Sequence, residues 1–346
     1  MNITRLTQRL IEGESLDAAD AEVEGAAGEM MSGDATPVQM AALLTALRVR
    51  GETAQVTAAF ARALRKRATP FKTPAGPLLD TCGTGGDHSG TFNISTAAAF
   101  VAAGAGVRVA KHGNRSMTSR CGSADVLAEL GVRVDCEPAV MERALEEIGI
   151  CFLFAQSYHG SMKHVGPVRR ELGFRTVFNM IGPLSNPAGA SHQLLGVGAK
   201  PMARLLAEVL ALLHTQNALV VHGSDGLDEI TTTGPTFAYF VREGKIQEAT
   251  ITPQEGGLAV AKPEDLKGGE VADNARILRE VLSGTSGPKL DIVLLNAGAA
   301  IMVSGVAGNL AEGVSMARKA VESGAALQKL ERLAALTSAP SVAVGG

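Results

Sequence analysis

The chain has 346 residues, enough for about two domains, and its 46% hydrophobic content, 19% charged content and net charge of −3 exclude a disordered acidic chain and a strongly basic nucleic-acid binder. Glycine is abundant at 40 residues, whereas the sequence has 10 Phe, 2 Tyr and no Trp. Because the glycines follow no collagen repeat and the chain is apolar, this composition favours an α/β enzyme with glycine-rich ligand loops.

Cysteine usage and hydropathy indicate a cytoplasmic protein. The four cysteines form no CxxC pair, so we expect reduced thiols, no disulfide framework and no zinc site. No apolar run reaches the roughly 18 residues of a membrane span, and residues 1–16 lack the apolar region of a secretion signal. We therefore expect a soluble protein with neither a membrane nor a nucleic-acid partner.

Residues 1–68 are predicted to be helical throughout. Ile3, Leu6 and Leu10 share one helical face, and the pair Thr36-Pro37 is typical of a helix start with proline at the first helical position. No strand pattern occurs in this segment. It therefore forms a helical unit without a sheet of its own.

The period of the apolar residues changes after Pro74. Short apolar runs follow at 77–80, 107–111, 132–135, 151–154, 193–197, 218–222 and 291–295. Several runs are separated by segments of helix length, which predicts a mainly parallel sheet with helices on its faces. The segments 236–241 and 248–252 add a hairpin to this sheet, and residues 160–190 interrupt the alternation with a polar, basic stretch.

The strongest chemical signal is the sequence DTCGTGGDHSGTFNIST at residues 80–96, which follows a predicted strand and opens a helix. It contains more glycines than a simple turn needs: Gly83, Gly85, Gly86 and Gly90. Backbone N–H groups in such a loop, with a helix start behind them, can cradle phosphates. The polar residues that open the helix either cap it or also face the ligand.

Two further polar clusters are predicted at strand ends. The sequence KHGNRSMTS at 111–119 offers two cations, an amide and three hydroxyls around Gly113, which suits a polyanion, although a solvated charged turn has the same pattern. Asp228 and Glu229 follow the run at 218–222. Adjacent carboxylates at the carboxyl edge of a sheet suit Mg²⁺, but most such pairs are surface residues.

A fourth block, residues 159–187, combines Arg169, Arg170 and Arg175 with spaced apolar residues. An arginine presented beside apolar surface would suit a small aromatic carboxylate. The alternative interpretation is a solvated helix face, and the block alone does not decide between them.

In combination, the motifs DTCGTGGD, FNIST, KHGNR, GSADVL and RTVFNMIGPLSNP resemble those of the anthranilate phosphoribosyltransferases of tryptophan biosynthesis, in order and over essentially the whole chain. The resemblance implies a small all-helical domain, residues 1–70 joined by an insertion at about 160–190. It also implies a large α/β domain, residues 71–159 and 191–338, with a mainly parallel central sheet flanked by helices, followed by a flexible tail at 339–346. Members of the family are usually homodimers through the helical domain.

The reaction that the resemblance implies moves the phosphoribosyl group of 5-phosphoribosyl-1-diphosphate (PRPP) to the amine of anthranilate and releases diphosphate. Mg²⁺ is required, as two ions with the diphosphate substrate. No residue is implied as a general acid or base, and the binding residues act by electrostatics and positioning.

The family's site residues carry over motif by motif. PRPP would be bound by Gly83, Gly86, Asp87, Thr91, Asn93, Ile94, Ser95, Thr96, Lys111, His112, Gly113, Asn114, Arg115, Ser116, Ser119 and Ser123. Anthranilate would contact Gly83, His112, Asn114 and Arg169. Mg²⁺ would be held by Ser95, Asp228 and Glu229, directly or through waters.

The sequence departs from the family in places, and rival functions remain. Gln156 and Gly160 stand where many members have proline, which puts the shape of the anthranilate channel in doubt. A pyrimidine-nucleoside phosphorylase shares the two-domain plan, but KHGNR and the Arg169 block disfavour it. A non-enzymatic nucleic-acid-binding homologue is disfavoured by the net charge, the few stacking aromatics and the intact Asp228-Glu229 pair.

Overall fold

The computed structural model describes residues 3–87, 89–116 and 120–339. Its N-terminal part contains four helices: α1 (Ile3–Ile11), α2 (Asp20–Ser32), α3 (Pro37–Arg50) and α4 (Ala54–Arg65). The predicted helix start at Thr36 is confirmed, because its hydroxyl accepts the N–H of Gln39 at 3.3 Å while the Gln39 side chain accepts the N–H of Thr36 at 2.9 Å. Pro37 then occupies the first helical position.

A seven-stranded sheet forms the centre of the molecule. Its strands are β1 (Leu79–Gly83), β2 (Val109–Gly113), β3 (Ile150–Phe154), β4 (His192–Gly196), β5 (Asn217–Gly223), β6 (Thr236–Arg242) and β7 (Lys245–Ile251), in the order β3-β2-β1-β4-β5-β6-β7. The first five strands of that order are parallel, and β6 and β7 add an antiparallel hairpin. The predicted mainly parallel sheet with an added hairpin is therefore confirmed. The order reverses between β1 and β4, where open α/β sheets bind their ligands.

Helices cover both faces of the sheet. They are α5 (Ile94–Gly104), α6 (Ser123–Glu129), α7 (Pro138–Glu147), α8 (Ala155–Tyr158), α9 (Met162–Leu172), α10 (Phe178–Ile181), α11 (Lys200–Leu212), α12 (Val271–Leu282), α13 (Pro288–Val303), α14 (Leu310–Glu322) and α15 (Ala325–Ser338). None of the described helices is both long and apolar enough to cross a membrane.

Two of the predicted strands are wrong. Residues 291–295 lie inside α13, which is buried on nearly all sides, so its apolar run carries no helical period to distinguish it from a buried strand. Residues 132–135 form a turn instead of a strand. There the N–H of Val132 bonds Leu127 O at 2.9 Å, and the N–H of Arg133 bonds the Thr337 hydroxyl at 3.1 Å.

The buried side chains form one core on each face of the sheet. One core is formed by helices α5, α6, α7, α12, α13, α14 and α15. The other is formed by helices α1, α2, α3, α4, α9, α10 and α11, which pack on the opposite face of β4 and β5. Phe60 of α4 meets Phe178 of α10 edge to face, with ring centroids 5.5 Å apart, so the 160–190 segment packs with the N-terminal helices. The fold class is thus the expected helical unit beside a larger α/β unit, while the exact domain boundaries stay a prediction.

Candidate active site

The glycine-rich loop lies between β1 and α5, at the carboxyl edge of the sheet. Gly85, Gly86 and Gly90 have φ values of +64°, +77° and +67°, which residues with a side chain rarely adopt. The loop is held from two sides, by a bond from Thr84 N to Gly196 O at 2.9 Å and by one from Gly268 N to Gly90 O at 2.9 Å. The backbone path itself therefore requires these glycines.

The acidic pair reaches this loop from the far end of β5. The N–H of Gly85 donates to Asp228 Oδ2 at 2.8 Å, and the N–H of Ser95 donates to Glu229 Oε1 at 3.0 Å. Ser95 lies in the first turn of α5, where the backbone N–H groups have no helical partner and the helix dipole favours negative charge. The structure thus brings together two motifs that are far apart in the sequence.

Asp228 also explains the glycines that end β1 and β4. A Cβ on Gly83 would lie 2.5 Å from Asp228 Oδ2, and a Cβ on Gly196 would collide with the backbone of Asp228. Any side chain at either strand end would push the acidic residue away from the glycine loop. Gly83 is therefore required by Asp228, whatever it contacts in a ligand.

Like charges crowd this end of the sheet. Burial, together with the charge of the neighbouring Asp87, raises the pKa of Asp228 to about 6. Burial also raises the pKa of Glu229, and the charge of Asp228 adds to that effect. Within the described residues no three His, Cys, Asp or Glu side chains form a metal cage. A carboxylate pair without a full cage suits Mg²⁺, which commonly completes its shell with waters and substrate phosphates.

A buried lysine supplies positive charge beneath the loop. Lys111 on β2 donates from Nζ to the Thr81 carbonyl and to Ser95 Oγ, the latter at 3.3 Å. Burial lowers its pKa, while the carboxylate of Asp80 counteracts that shift. Burial raises the pKa of Asp80 to about 6 in spite of Lys111, and its Oδ1 accepts the N–H of His112 at 3.0 Å. This pair connects β1, β2 and the start of α5.

The segment after β2 is organised by Asp125, the third residue of α6. Its Oδ2 accepts the N–H groups of Ser116 and Gly122, each at 3.0 Å, and its Oδ1 pairs with Arg115 at 3.0 Å. The side chain of Arg115 is thus held by the protein, with about half of it exposed. Ser119 lies outside the described residues.

Close packing explains Gly113, the last residue of β2. A Cβ there would lie 2.6 Å from the Phe152 ring and would also collide with Ser123 Oγ. Ser123 Oγ in turn donates to Asn114 O at 3.3 Å. Gly113 is therefore needed to fit the loop against β3, in addition to any role toward a ligand.

The remaining candidates for PRPP binding line the same loop. Asp87 lies beside Asp228, Thr91 pairs with Lys267 in an antiparallel bridge, and Ile94 is the buried first residue of α5. Asn93 donates from Nδ2 to Cys121 O at 3.1 Å, which ties the two loops together. Thr96 has a buried hydroxyl without a hydrogen-bond partner in the described part of the chain.

The candidate anthranilate residues lie toward the helical unit. Asn114 Oδ1 accepts from Arg115 N at 2.8 Å and from Gln156 Nε2 at 3.4 Å, so the departure at position 156 touches a predicted site residue. His112 packs edge to face with His159, with ring centroids 5.1 Å apart. Burial, together with the neighbouring His159, lowers the pKa of His112 to about 3.

The arginines of the fourth block take different positions. Arg169 lies over the Phe178 ring at 5.7 Å, and burial lowers its pKa with no counteracting carboxylate in the described chain. Arg175 reaches the glycine loop, since a Cβ on Gly86 would lie 2.7 Å from its Nη1. Arg170 is exposed. The sequence pattern alone did not distinguish these three environments.

Several supporting residues have no role in the sequence analysis: Asp80, Asp125, His159 and Gly196. Asp125 had a detectable signal, because an acidic residue three positions after a helix-capping residue commonly bonds back to the cap. Gly196 and His159 act through contacts between distant segments, and the local sequence carries no signal for such contacts.

Comparisons with known proteins agree with this architecture. Residues 75–327 match the family model described as "Glycosyl transferase family, a/b domain", and residues 4–68 match "Glycosyl transferase family, helical bundle domain". The anthranilate phosphoribosyltransferase of Thermomicrobium roseum is 51% identical over 341 residues, 97% of each chain. That of Rhodospirillum rubrum is 52% identical over 341 residues, 98% of this chain and 97% of the relative.

Two solved structures show the same fold. The crystal structure of anthranilate phosphoribosyltransferase from Thermus thermophilus is 45% identical with a TM-score of 0.90, over 96% of this chain and 99% of that one. The enzyme from Saccharomyces cerevisiae in complex with PRPP and Mg is 29% identical with a TM-score of 0.89, over 97% and 98% of the two chains.

The buried histidine next to His112 predicts a loss of stability in acid. Burial lowers the pKa of His159 to about 4, so below the unfolded value of about 6.5 the unfolded chain binds a proton that the folded chain excludes. The stability that the neutral, buried His159 contributes to the folded state is fully present above pH 6.5 and is lost as the pH falls toward 4. As the pH falls from 6.5 to 5, the free energy of unfolding should therefore decrease in both proteins. The decrease should be about 2 kcal/mol smaller in His159→Gln than in the wild type.

The measurement is urea denaturation at several pH values. An exchange at the exposed His214, His214→Asn, serves as the matched control. Parallel stability curves for the wild type and His159→Gln would contradict the assigned state of His159.

Proposed function

This chain belongs to the anthranilate phosphoribosyltransferase family, and we propose that it transfers the phosphoribosyl group of PRPP to the amine of anthranilate. The observation that carries the proposal is the contact of Asp228 and Glu229 with the glycine loop and the start of α5. It places carboxylates for a divalent cation beside backbone N–H groups for phosphates. The Saccharomyces cerevisiae relative was solved with PRPP and Mg, the two components such a site would hold.

PRPP occupies the carboxyl edge of β1 and β2 in this proposal. The N–H groups of Thr84, Gly85 and Ser95 are already bonded within the protein, so the backbone N–H groups that face its phosphates are those of Gly86 and Asp87. Lys111 contributes a cation from below, and Asn93 and Thr91 contribute polar side chains. The loop at Asn114–Ser116, with Ser123 beside it, closes the other side, and Ser119 is proposed from the sequence motif alone.

Mg²⁺ fits the carboxylates that are present. Ser95, Asp228 and Glu229 would hold it, and two ions with the diphosphate substrate are proposed from the family resemblance alone. When bound, Mg²⁺ neutralises charge that develops on the departing diphosphate. The chain itself contributes fixed N–H dipoles, which need no rearrangement as that charge appears.

Anthranilate approaches from the side of the helical unit. Arg169 binds its carboxylate, because a partly buried guanidinium without a protein carboxylate favours an anionic ligand. Asn114, His112 and Gly83 line the approach of the amine. A bond forms between the amine nitrogen and the anomeric carbon, the bond from that carbon to diphosphate breaks, and the nitrogen passes its extra proton to water.

No strong base is needed for this step. An aromatic amine is neutral at pH 7, and His112 remains neutral there because burial lowers its pKa to about 3. The catalytic contribution of the protein is therefore to hold the amine against the anomeric carbon and to stabilise the leaving group.

A homodimer through the helical unit is proposed from its surface. Ile11 of α1 and Val38 and Val49 of α3 are large apolar side chains that are 70%, 78% and 79% exposed. A second copy would cover them, and the molar mass in solution tests this. The cytoplasm is the proposed location, supported by four buried cysteines that are all free thiols.

The function is tested by the loss of anthranilate fluorescence, which is free of tryptophan background because the chain has no Trp. The signal should fall only when anthranilate, PRPP and Mg²⁺ are all present. Turnover without PRPP, or phosphorolysis of uridine or thymidine in place of this reaction, would contradict the proposal.

The role of Arg169 predicts a selective defect. Arg169→Ala should raise the KM for anthranilate about tenfold or more, because a charge-assisted bond to the carboxylate is lost, and should leave the KM for PRPP within about twofold. Arg170→Ala, at the exposed neighbour, is the control. Equal changes in both KM values would refute the assignment of Arg169.

A further inference from the structure

The buried helix α13 carries a polar side chain where none is needed for packing. Asn296 is 0% exposed, and it is surrounded along the helix by buried apolar residues such as Leu294, Leu295 and Ile301. A buried amide costs free energy unless its hydrogen bonds are made. Its partners therefore indicate why an amide is present at this position.

Asn296 binds both backbone polar groups of one residue outside the helix. Its Oδ1 accepts the N–H of Ile230 at 2.9 Å, and its Nδ2 donates to the carbonyl of Ile230 at 2.9 Å. Nδ2 also donates to Ile292 O at 2.9 Å, within its own helix. A carboxamide can do this because it carries a donor and an acceptor side by side, so these two bonds fix Ile230 in position and orientation.

Ile230 directly follows Asp228 and Glu229. On the N-terminal side of the pair, Asp225 Oδ1 accepts the N–H of Leu227 at 3.2 Å, and its Oδ2 accepts the hydroxyls of Thr231 at 2.7 Å and Thr233 at 2.6 Å. The acidic pair thus lies in a segment whose backbone is held at both flanks. The side chains themselves are held by the backbone amides of Gly85 and Ser95.

Such fastening has an electrostatic purpose. Two adjacent carboxylates repel each other, and with Asp87 close to Asp228 the repulsion favours a loop that swings the acids out into water. A clamp from the rigid, buried α13 opposes that movement before any cation arrives. The carboxylates then meet a metal ion in a preformed arrangement.

We propose that Asn296 is a positioning residue that holds the Asp228-Glu229 pair in place for a divalent cation through its paired hydrogen bonds to Ile230. The inference rests on the proposed metal role of that pair. Asn296 touches neither substrate nor metal and acts through the backbone.

The test measures Mn²⁺ binding to the full-length enzyme in the presence of PRPP by electron paramagnetic resonance, together with the Mg²⁺ activation constant and both KM values. Asn296→Ala should weaken Mn²⁺ binding and raise the Mg²⁺ activation constant by about tenfold or more, as loss of an outer-sphere partner does, with the KM for anthranilate within about twofold. Asn296→Ser is the second variant, because serine can bond back to Ile292 and keep the helix intact without reaching Ile230.

The control is Thr337→Ala, on α15. Thr337 is 1% exposed, and its hydroxyl accepts the N–H of Arg133 at 3.1 Å, so it fastens a loop backbone that does not carry the acidic pair. It should lower the melting temperature without changing metal binding. If both asparagine variants lose stability like Thr337→Ala but keep wild-type Mn²⁺ binding, Asn296 is merely structural and the proposal is overturned.

A double variant separates this outcome from failure of the proposed function. The double variant Asp228→Asn with Glu229→Gln should abolish Mn²⁺ binding in the same measurement. Wild-type Mn²⁺ binding by the double variant would overturn both the metal role and the clamp. Loss of binding there, with normal binding in the asparagine variants, would overturn the clamp alone.

Discussion

Two hydrogen bonds from backbone amides to adjacent carboxylates hold the candidate active site together, one from Gly85 to Asp228 and one from Ser95 to Glu229. They join the glycine loop, the start of α5 and the end of β5. Gly83 and Gly196 end their strands without side chains because Asp228 lies against both. The shape of the loop that is proposed to cradle phosphates thus depends on the acidic residues as much as on its own glycines.

This arrangement concentrates charge in a confined space. Burial and the charge of neighbouring carboxylates raise the pKa of both acids, and the buried Lys111 lies beneath them beside Ser95. Without further positive charge, the negative charge of the two acids is only partly compensated. A divalent cation that also binds phosphates would relieve the repulsion and attach the substrate at once, which gives the electrostatic reason for proposing a joint Mg²⁺ and PRPP site.

Much of the fold could be predicted because its signals are local. The strand at 151–154 and the helix start at Thr36 depend on apolar period and capping chemistry, and both are confirmed. The prediction of a strand at 291–295 is wrong because α13 is apolar on nearly every side, and a short apolar run has no period by which to tell a helix from a strand. Asn296 is the fully buried polar residue of α13, and its burial indicates that this segment packs against another backbone.

Only part of the site could be predicted, because motifs are local in the sequence whereas the contacts between motifs are not. Adjacent carboxylates such as Asp228 and Glu229 are visible as a motif, but their meeting with Gly85 and Ser95 is a long-range contact that follows from the order of the strands. Supporting residues such as His159 and Gly196 act through contacts between distant segments, which single-sequence patterns scarcely encode. The roles of the site residues toward ligands therefore stay predictions.

The most direct test of the account is calorimetric titration of PRPP into the wild-type enzyme, once with Mg²⁺ and once with a chelator. If the acidic pair and the glycine loop form one site that a cation completes, PRPP should bind with Mg²⁺ and lose measurable binding in the chelator. Equal affinity under both conditions would contradict the claim that the carboxylates act on the substrate through a metal ion.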